Sequence, residues 1–186
     1  MRRLLLSLLI AFAIITPVRF FVAQPFIVSG GSMEPLLQPK DYLVVDRWSY
    51  REREPERGEV IVFRYPLDPD QIFVKRVAGL PGETVVLEGG TVRITTPSGE
   101  TFVLDEPYKT PDRNPEEDKK LVLHDDEYFV LGDNRTASAD SRVWGPLLER
   151  FIIGRAAARL FPLSRASLAP GALAHAASTS TDIHTE

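Results

Sequence analysis

The chain has 186 residues, a hydrophobic content of 44% and a formal net charge of −4. These values suit one folded domain with an appendage and argue against a nucleic-acid-binding protein, since such proteins usually carry a basic face. The absence of cysteine excludes disulfides, thiolate metal sites and a cysteine nucleophile. Only three histidines occur (His124, His175 and His184), and two of them lie near the C-terminus, so we expect neither a histidine triad nor a metal cluster.

The N-terminal segment is an apolar run, Leu4–Val22, preceded by two arginines. At about 1.5 Å per residue a helix of this length spans about 28 Å, enough to cross the hydrocarbon core of a bilayer. Arg19 lies near the far end, where its charge can reach the headgroups. The alternatives are a buried core helix and a cleaved signal peptide, although Ala23 has Phe21 rather than a small residue two positions before it. We predict a single transmembrane helix, the anchor, over residues 1–23, with a cytoplasmic N-terminus.

From residue 24 to 162 the pattern changes to short runs rich in Val, Ile, Phe and Tyr, which are typical of β-strands. The runs are "DYLVVDRW", "GEVIVFRYP", "QIFVKRV", "TVVLEGGTVRIT", "ETFVL" and "EYFVLGDN". Gly89 and Gly90 divide the stretch "TVVLEGGTVRIT" into two such runs, and this glycine pair predicts a hairpin turn. We therefore predict a mainly β fold, with an antiparallel β-sheet domain over residues 24–162 and a smaller inserted β subregion at about 84–126.

Three further segments have weaker patterns. Near the end of the predicted domain, "FIIGRAAARLF" fits either a strand or a short helix, because periodicity alone does not separate them. Residues 109–120 are polar and broken by prolines, which favours a surface loop. Residues 163–186 are rich in Ala, Ser and Thr without a pattern, so we predict a disordered tail.

Ser32 follows the apolar segment in the stretch "VSGGSMEPLL". Glycine and serine are the usual residues of flexible linkers, so a linker is one interpretation. The other is a nucleophile on an exposed turn. A serine hydroxyl is a poor nucleophile until a neighbouring base takes its proton, so this second interpretation requires a base elsewhere in the chain.

Lys75, in the strand "QIFVKRV", is a candidate for that base. Side chains alternate across a strand, so Phe73, Lys75 and Val77 share one face. Burial among apolar neighbours would lower the pKa of the lysine, and a pKa of about 7–8 makes it a usable general base. The alternative is a lysine on an edge strand with its amine in water.

The stretch "GDNRTASADSRVWG" places hydroxyl and charged residues directly after a predicted strand. If the chain is extended here, Ser138, Asp140 and Arg142 point the same way, and the last two can pair. A polar turn is the alternative, in which Asp133 and Asn134 set the backbone by Asx-type hydrogen bonds.

In their order along the chain, these stretches resemble the type I signal peptidases of bacteria. The matching elements are an apolar anchor followed by "SGGSMEPLL", "KDYLVVDR", "GEVIVFRYP", "FVKRVAGLPGE" and "GDNRTASADSRVWG". The resemblance covers roughly residues 15–162. Any one motif is weak evidence, whereas the collinear set is specific.

The resemblance implies a membrane-anchored serine endopeptidase with Ser32 as nucleophile and Lys75 as general base. It implies that Ser138 hydrogen-bonds and orients the lysine amine, and that Asp140 and Arg142 are a supporting pair. Its substrates would be secretory preproteins, cut after small residues of the Ala-x-Ala type, at the outer face of the cytoplasmic membrane. No cofactor and no nucleic acid is implied, and the phospholipid membrane is the other expected partner.

Two features leave alternatives open. Some family members carry a hydroxyl residue two positions before the nucleophile, which helps to stabilise the oxyanion, but Gly30 occupies that position here, and Ser29 is an uncertain substitute. The apolar residues around Ser32 could contact lipid or could belong to the core. They are Phe26, Ile27, Met33, Leu36 and Leu37.

Two rival functions come from other classes. One is a self-cleaving regulatory protein with a Ser–Lys dyad, which the predicted anchor and the lack of a DNA-binding helix pair argue against. The other is a non-enzymatic, membrane-anchored β domain in which Ser32 lies in a plain linker.

Overall fold

The computed structural model describes Ser7, residues 23–111 and residues 118–171. The predicted anchor over residues 1–23 therefore lies almost entirely outside the described residues. Within the described part of the chain, no helix combines the length and the apolar character that crossing a membrane requires.

The larger of two antiparallel sheets has eight strands, in the order β1-β2-β11-β3-β4-β9-β10, with β12 paired to β11. Its strands are β1 Ala23–Ile27, β2 Tyr42–Asp46, β3 Val60–Tyr65, β4 Asp68–Gly79, β9 Glu127–Leu131, β10 Leu147–Leu148, β11 Ile152–Phe161 and β12 Ser167–Leu168. The only α-helix among the described residues after position 23 is the four-residue Ser141–Trp144. The mainly antiparallel β fold is thus confirmed.

The smaller sheet has four strands in the order β7-β6-β5-β8. They are β5 Thr84–Glu88, β6 Thr91–Thr95, β7 Thr101–Val103 and β8 Lys119–Val122. Gly89 and Gly90 form the two-residue turn of the β5–β6 hairpin, and both have the positive φ angles that such turns favour. The segment predicted as an inserted subregion, 84–126, contains this whole sheet.

Alternating side chains place apolar groups on both faces of the larger sheet. In β3, Val60 and Val62 pack into one cluster with Met33 and Leu43, while the intervening residues pack into a second cluster on the opposite face. A third cluster joins the two sheets. Its members from the smaller sheet are Val85, Leu87, Val92 and Ile94, and those from the larger sheet are Ala78, Phe129 and Leu131. β3 and β4 are consequently held rigidly from both sides.

The structure differs from the sequence expectations at several boundaries. β1 begins at Ala23, the last residue of the predicted anchor, and β8 begins at Lys119, inside the predicted surface loop. The ambiguous segment near residue 155 is a strand, β11. Residues 163–171, expected to belong to a disordered tail, contain a 3₁₀ turn at Leu163–Arg165 and the strand β12.

The apolar residues around Ser32 divide into two groups. Met33 and Leu37 are fully buried core residues, and Phe26 and Leu36 are partly buried against the same cluster. Ile27 is half exposed. It therefore remains the one member of this set with a large surface open to solvent or lipid.

Candidate active site

Ser32 lies at the start of a tight turn that follows β1. Backbone hydrogen bonds from Glu34 to the Gly31 carbonyl and from Leu37 to the Met33 carbonyl close this turn. Met33 and Leu37 have no exposed surface, so they fix the turn to the core. The hydroxyl is thus presented by a rigid segment and not by a free linker.

Lys75 lies in β4, opposite Ile61 of β3, and its side chain is buried with 4% of its surface exposed. Its Nζ atom is 2.9 Å from Ser32 Oγ and 3.1 Å from the carbonyl oxygen of Val74. The ring of Phe73 is also close, with 5.1 Å between its centroid and Nζ. The alternative of a lysine with its amine in water is therefore wrong.

Burial lowers the pKa of Lys75 from 10.5 to about 8, because an apolar environment disfavours the ammonium form. The negative charge of Asp140 acts in the opposite direction and raises this pKa. A large fraction of the protein therefore carries a neutral amine at slightly alkaline pH. A neutral amine has a lone pair that can accept the proton of the Ser32 hydroxyl.

The Asp140–Arg142 pair forms, but not by the predicted extended geometry. Asp140 is the N-cap of the helix Ser141–Trp144, and it accepts hydrogen bonds from Arg142 Nε at 2.8 Å and from the Gly132 N–H at 3.0 Å. Arg142 Nη2 donates to the Arg135 carbonyl at 2.7 Å. The pair therefore ties the helix to the chain immediately after β9.

Ser138 lies beside Ser32, but the hydrogen bond expected from it to the Lys75 amine is not formed. Its Oγ atom is buried and has no hydrogen-bond partner among the described residues. Gly132 explains how closely these groups pack. A Cβ atom placed on Gly132 would lie 2.6 Å from the Ser32 carbonyl oxygen and 2.5 Å from Ser138 Cβ.

A second buried ion pair, between Arg76 and Asp133, was not predicted from the sequence. Arg76 Nε and Nη2 donate to the two carboxylate oxygens at 2.9 and 2.7 Å, and the two side chains are 2% and 0% exposed. Asn134 N–H, directly after Asp133, donates to the Ser32 carbonyl at 3.0 Å. A charged residue inside the apolar strand β4 was the available signal, because a buried charge needs a partner.

A cleft of about 410 Å³ opens in front of Ser32 and Lys75. Within the described residues, β9 pairs with β4 only from Arg76 onward, so the preceding part of β4 has β3 on one side alone. The other lining residues are Phe26, Val28, Ser29, Gly30, Gln71, Ile72, Phe73, Val74, Ala137 and Ala139. Small and apolar side chains therefore dominate the walls of the cleft.

The position two residues before Ser32 has open space around it. No atom lies within 4 Å of a Cβ placed on Gly30, and Ser29 is exposed. Gly30 therefore offers no side-chain hydrogen-bond donor beside Ser32. In the described part of the chain, no cluster of His, Asp and Glu side chains has a geometry that could hold a metal ion.

The family model and the relatives that match this chain are signal peptidases. The family model described as "Signal peptidase, peptidase S26" matches residues 1–161. A probable signal peptidase I-1 from Synechocystis sp. is 40% identical over 167 residues, covering 85% of this chain and 81% of its own. A signal peptidase I from Leptolyngbya laminosa is 38% identical over 159 residues, covering 80% of this chain and 73% of its own.

A crystal structure of a signal peptidase I from Enterococcus faecalis V583 is 30% identical in sequence, with a TM-score of 0.47. The match covers 55% of the present chain and 97% of the Enterococcus faecalis chain. The family follows from the sequence matches, which cover four fifths or more of the chain. This chain belongs to the signal peptidase family, peptidase S26.

Proposed function

We propose that this protein is a membrane-anchored serine endopeptidase that removes signal peptides from secretory preproteins by means of a Ser32–Lys75 dyad. The observation that carries the proposal is the buried amine of Lys75, 2.9 Å from the Ser32 hydroxyl. This distance is within hydrogen-bond reach, which a general base requires. The amine is hydrogen-bonded to a hydroxyl and a carbonyl and not to a carboxylate, so burial outweighs the opposing effect of the Asp140 charge and lowers its pKa.

In the first half of the reaction, the neutral Lys75 amine accepts the Ser32 proton as Oγ attacks the carbonyl carbon of the scissile peptide bond. The C–N bond then breaks, and the lysine ammonium returns the proton to the leaving amine. In the second half, neutral Lys75 takes a proton from a water molecule as its oxygen attacks the acyl carbon. The bond from that carbon to Ser32 Oγ then breaks, and the lysine ammonium gives the proton to Oγ, which restores the Ser32 hydroxyl. Histidine is not needed at any step.

The oxyanion that forms during attack needs hydrogen-bond donors already in place. The backbone N–H of Ser32 is the proposed main donor, because the rigid turn fixes its direction. Gly30 supplies no side-chain donor. Ser29, which is exposed beside the cleft, is the available hydroxyl helper.

The cleft suits an extended peptide with small side chains near the cut. A substrate strand can lie along the unpaired part of β4 and use main-chain hydrogen bonds for its affinity. Phe26, Ile72 and Val74 line the cleft together with Ala137 and Ala139, which belong to the segment between β9 and the helix Ser141–Trp144. A larger side chain would overfill such a site, which accounts for the proposed preference for Ala-x-Ala sequences.

We assign supporting roles to Ser138, Asp140 and Arg142. The buried Ser138 hydroxyl has no hydrogen-bond partner among the described residues, and we assign to it the role of accepting an N–H from the Lys75 amine. Asp140 and Arg142 hold the loop that carries this serine. A buried ion pair of this kind fixes geometry, and removing one partner leaves an uncompensated charge.

The site is proposed to face the outer surface of the cytoplasmic membrane. Ile27, Tyr42 and Phe161 occupy opposite positions on the adjacent strands β1, β2 and β11, and each is about half exposed. Together they form an apolar patch at the end of β1 that leads into the Ser32 turn. Such a patch suits contact with lipid, close to where a preprotein leaves the membrane.

The test is cleavage of a preprotein by the full-length protein in detergent, followed by sequencing of the new N-terminus. The expected product begins directly after an Ala-x-Ala sequence. Ser32→Ala and Lys75→Ala should each abolish cleavage while the circular dichroism spectrum stays unchanged. Lys120→Ala is the matched control, because Lys120 is exposed on the smaller sheet.

A covalent probe separates the enzyme from a non-enzymatic binding domain. A β-lactam-like acylating reagent should add one adduct to the wild-type protein and none to Ser32→Ala, measured by intact-protein mass spectrometry. Preprotein cleavage that persists in either dyad variant, or a wild-type protein that neither cleaves nor acylates, would contradict the proposal.

A further inference from the structure

Residues 162–171, here called the clasp, are an ordered segment beyond the end of the family match at residue 161. Ser167 and Leu168 pair with Arg159 and Ala158 of β11, and the Ala169 N–H donates to the Ala157 carbonyl at 2.7 Å. The segment is thus attached to a central strand of the larger sheet.

One end of the clasp is connected to the turn that carries Ser32. Arg165 Nη2 lies 2.5 Å from Asp41 Oδ1, and Asp41 is fully buried. The other carboxylate oxygen of Asp41 accepts the Gln38 N–H at 2.9 Å, just after that turn. Arg159 of β11 also links the clasp to this turn, because its Nε donates to the Arg165 carbonyl and its Nη1 donates to the Leu36 carbonyl.

The other end of the clasp is connected to the strand that carries Lys75. The Gly171 carbonyl accepts a hydrogen bond of 2.5 Å from Arg76 Nη1, and Arg76 is the residue after Lys75. Gly171 also packs very closely. A Cβ placed on it would lie 2.7 Å from a methyl carbon of Leu36 and 2.8 Å from one of Val60, and its φ of +84° is rarely adopted by other residues.

These contacts bridge two elements that the sheet itself keeps apart. Ser32 follows β1, and three strands lie between β1 and β4 in the sheet order. The distance between Ser32 and Lys75 therefore depends on how the turn after β1 folds back over the sheet. The clasp contacts that turn at Leu36 and contacts β4 at Arg76.

We propose that the clasp positions the Ser32–Lys75 dyad for catalysis, with Arg165 and Gly171 as its positioning residues. This inference rests on the proposed function and adds a structural requirement for it. If the clasp is released, the turn is less firmly held and Arg76 loses one of its acceptors. Serine and lysine then spend less time at reacting distance, and more water reaches the lysine amine.

The experiment compares full-length variants in detergent, using a fluorogenic signal-peptide substrate. Arg165→Ala removes the ion pair with Asp41, Arg165→Lys retains a positive charge, and Gly171→Ala places a methyl group against Leu36 and Val60. Leu168→Ala is the matched control within the clasp, because that side chain is 87% exposed. The measurements are kcat, KM, the pH profile of kcat/KM and the unfolding temperature.

Arg165→Ala and Gly171→Ala should each lower kcat about tenfold with KM changed less than about twofold, because misplacement of reacting groups acts on the chemical step. The acidic limb of the pH profile should move to higher pH, since a better-hydrated Lys75 is more basic. Arg165→Lys should recover part of the lost kcat, and Leu168→Ala should behave as wild type. A lower unfolding temperature in these variants, with kcat and the acidic limb of the pH profile unchanged, would overturn the proposal.

A second measurement needs no substrate and separates this inference from the proposed function. Hydrogen exchange of the backbone amides of residues 33–37 should be faster in Arg165→Ala than in wild type or Leu168→Ala. Unchanged exchange at these amides would overturn the proposed positioning role of the clasp. A wild-type protein that cleaves nothing, but shows this difference in exchange, contradicts the proposed function and leaves the positioning contact supported.

Discussion

The amine of Lys75 lies 2.9 Å from the hydroxyl of Ser32, although 43 residues separate the two along the chain. The lysine is buried in the middle of the larger sheet, where an apolar side chain would be the stable choice. In the folded protein the pKa of Lys75 is about 8, compared with its ordinary value of 10.5, because burial disfavours the charged ammonium form. The dyad is therefore maintained at a cost in stability.

Replacing this lysine by methionine should make the protein more stable at pH 7 while abolishing cleavage. Between pH 8 and 10.5 the unfolded chain binds more protons than the folded one, so the free energy of unfolding rises with pH in this window. Below pH 8 the cost of the buried charge is fully present, at about 3 kcal/mol. Urea denaturation should show Lys75→Met more stable by up to about 3 kcal/mol at pH 7 and by much less at pH 10.5.

Lys120→Met is the control for this comparison, because an exposed lysine should give no pH-dependent difference in stability. An equal gain for Lys75→Met at both pH values would mean that the gain comes from hydrophobic burial alone. That result would contradict a depressed pKa at position 75.

The pH dependence of cleavage follows from the same group. Only the neutral amine can accept the Ser32 proton, so kcat/KM should fall as pH drops below the Lys75 pKa of about 8. From pH 8 to pH 6 the expected loss is about 50-fold, the change in the neutral fraction of a single group with this pKa. Steady-state kinetics on a peptide substrate would measure it. A flat profile between pH 5 and 9 is incompatible with a lysine base.

Much of the fold could be predicted from the sequence, because the strands carry their own pattern. β2, β3, β5, β6, β7 and β9 each contain β-branched or aromatic runs, and a glycine pair such as Gly89–Gly90 readily adopts the positive φ angles of a two-residue hairpin turn. β8 begins with two lysines, so its first half resembles a loop. Its strand character comes from pairing with β5, a long-range contact that local composition does not encode.

The clasp is the largest element that the sequence did not predict. Its residues have low hydrophobicity and no period, which is also typical of disorder. Its order arises from Arg165 meeting Asp41 and from Gly171 meeting Arg76, residues 124 and 95 positions apart. The partners of each pair lie in distant segments, so the sequence of one segment does not indicate which residue it contacts in the other.

The candidate site was partly predictable for a different reason. Ser32, Lys75 and Asp140 are chemically unusual in their sequence contexts: a serine just after the apolar N-terminal segment, a lysine in an apolar strand, and an acid among small residues. The Arg76–Asp133 pair was missed because Asp133 also fits an ordinary turn. The expected bond from Ser138 to the lysine amine is not formed, because the sequence specifies the residue but not the orientation of its hydroxyl in the folded site.

Gly132→Ala should inactivate the protein more than it destabilises it. The added methyl group would lie 2.6 Å from the Ser32 carbonyl oxygen and 2.5 Å from Ser138 Cβ, so both residues must move. We expect kcat to fall about 100-fold, because small shifts of reacting groups have large effects on rate, with a loss of about 1–3 kcal/mol in stability from overpacking.

Gly99→Ala is the matched control for Gly132→Ala. Gly99 has a φ of +90° and open space around it, in a hairpin turn of the smaller sheet, so alanine there brings backbone strain without any contact to the site. Stability should fall by about 1 kcal/mol with kcat unchanged. If Gly99→Ala and Gly132→Ala lost activity in proportion to their stability, the close packing at Gly132 would have no specific role.

Gly30→Ser should raise activity rather than lower it. No atom lies within 4 Å of a Cβ at this position, and its φ is not in the left-handed region, so the fold should accept the side chain without strain. The new hydroxyl would stand two residues before the nucleophile and could donate to the oxyanion. Since one preorganised donor is worth about 2.7–4 kcal/mol in other hydrolases, even a poorly aligned one should increase kcat about threefold.

The comparison with Gly30→Ala isolates the hydroxyl from the added carbon. The alanine variant should match wild type in kcat, and only the serine variant should exceed it, measured on the same signal-peptide substrate. A serine variant that is slower than the alanine variant would mean that the hydroxyl points away from the oxyanion or obstructs the substrate. The oxyanion would then depend on backbone N–H groups held by the turn after β1, which is the arrangement that the natural glycine already permits.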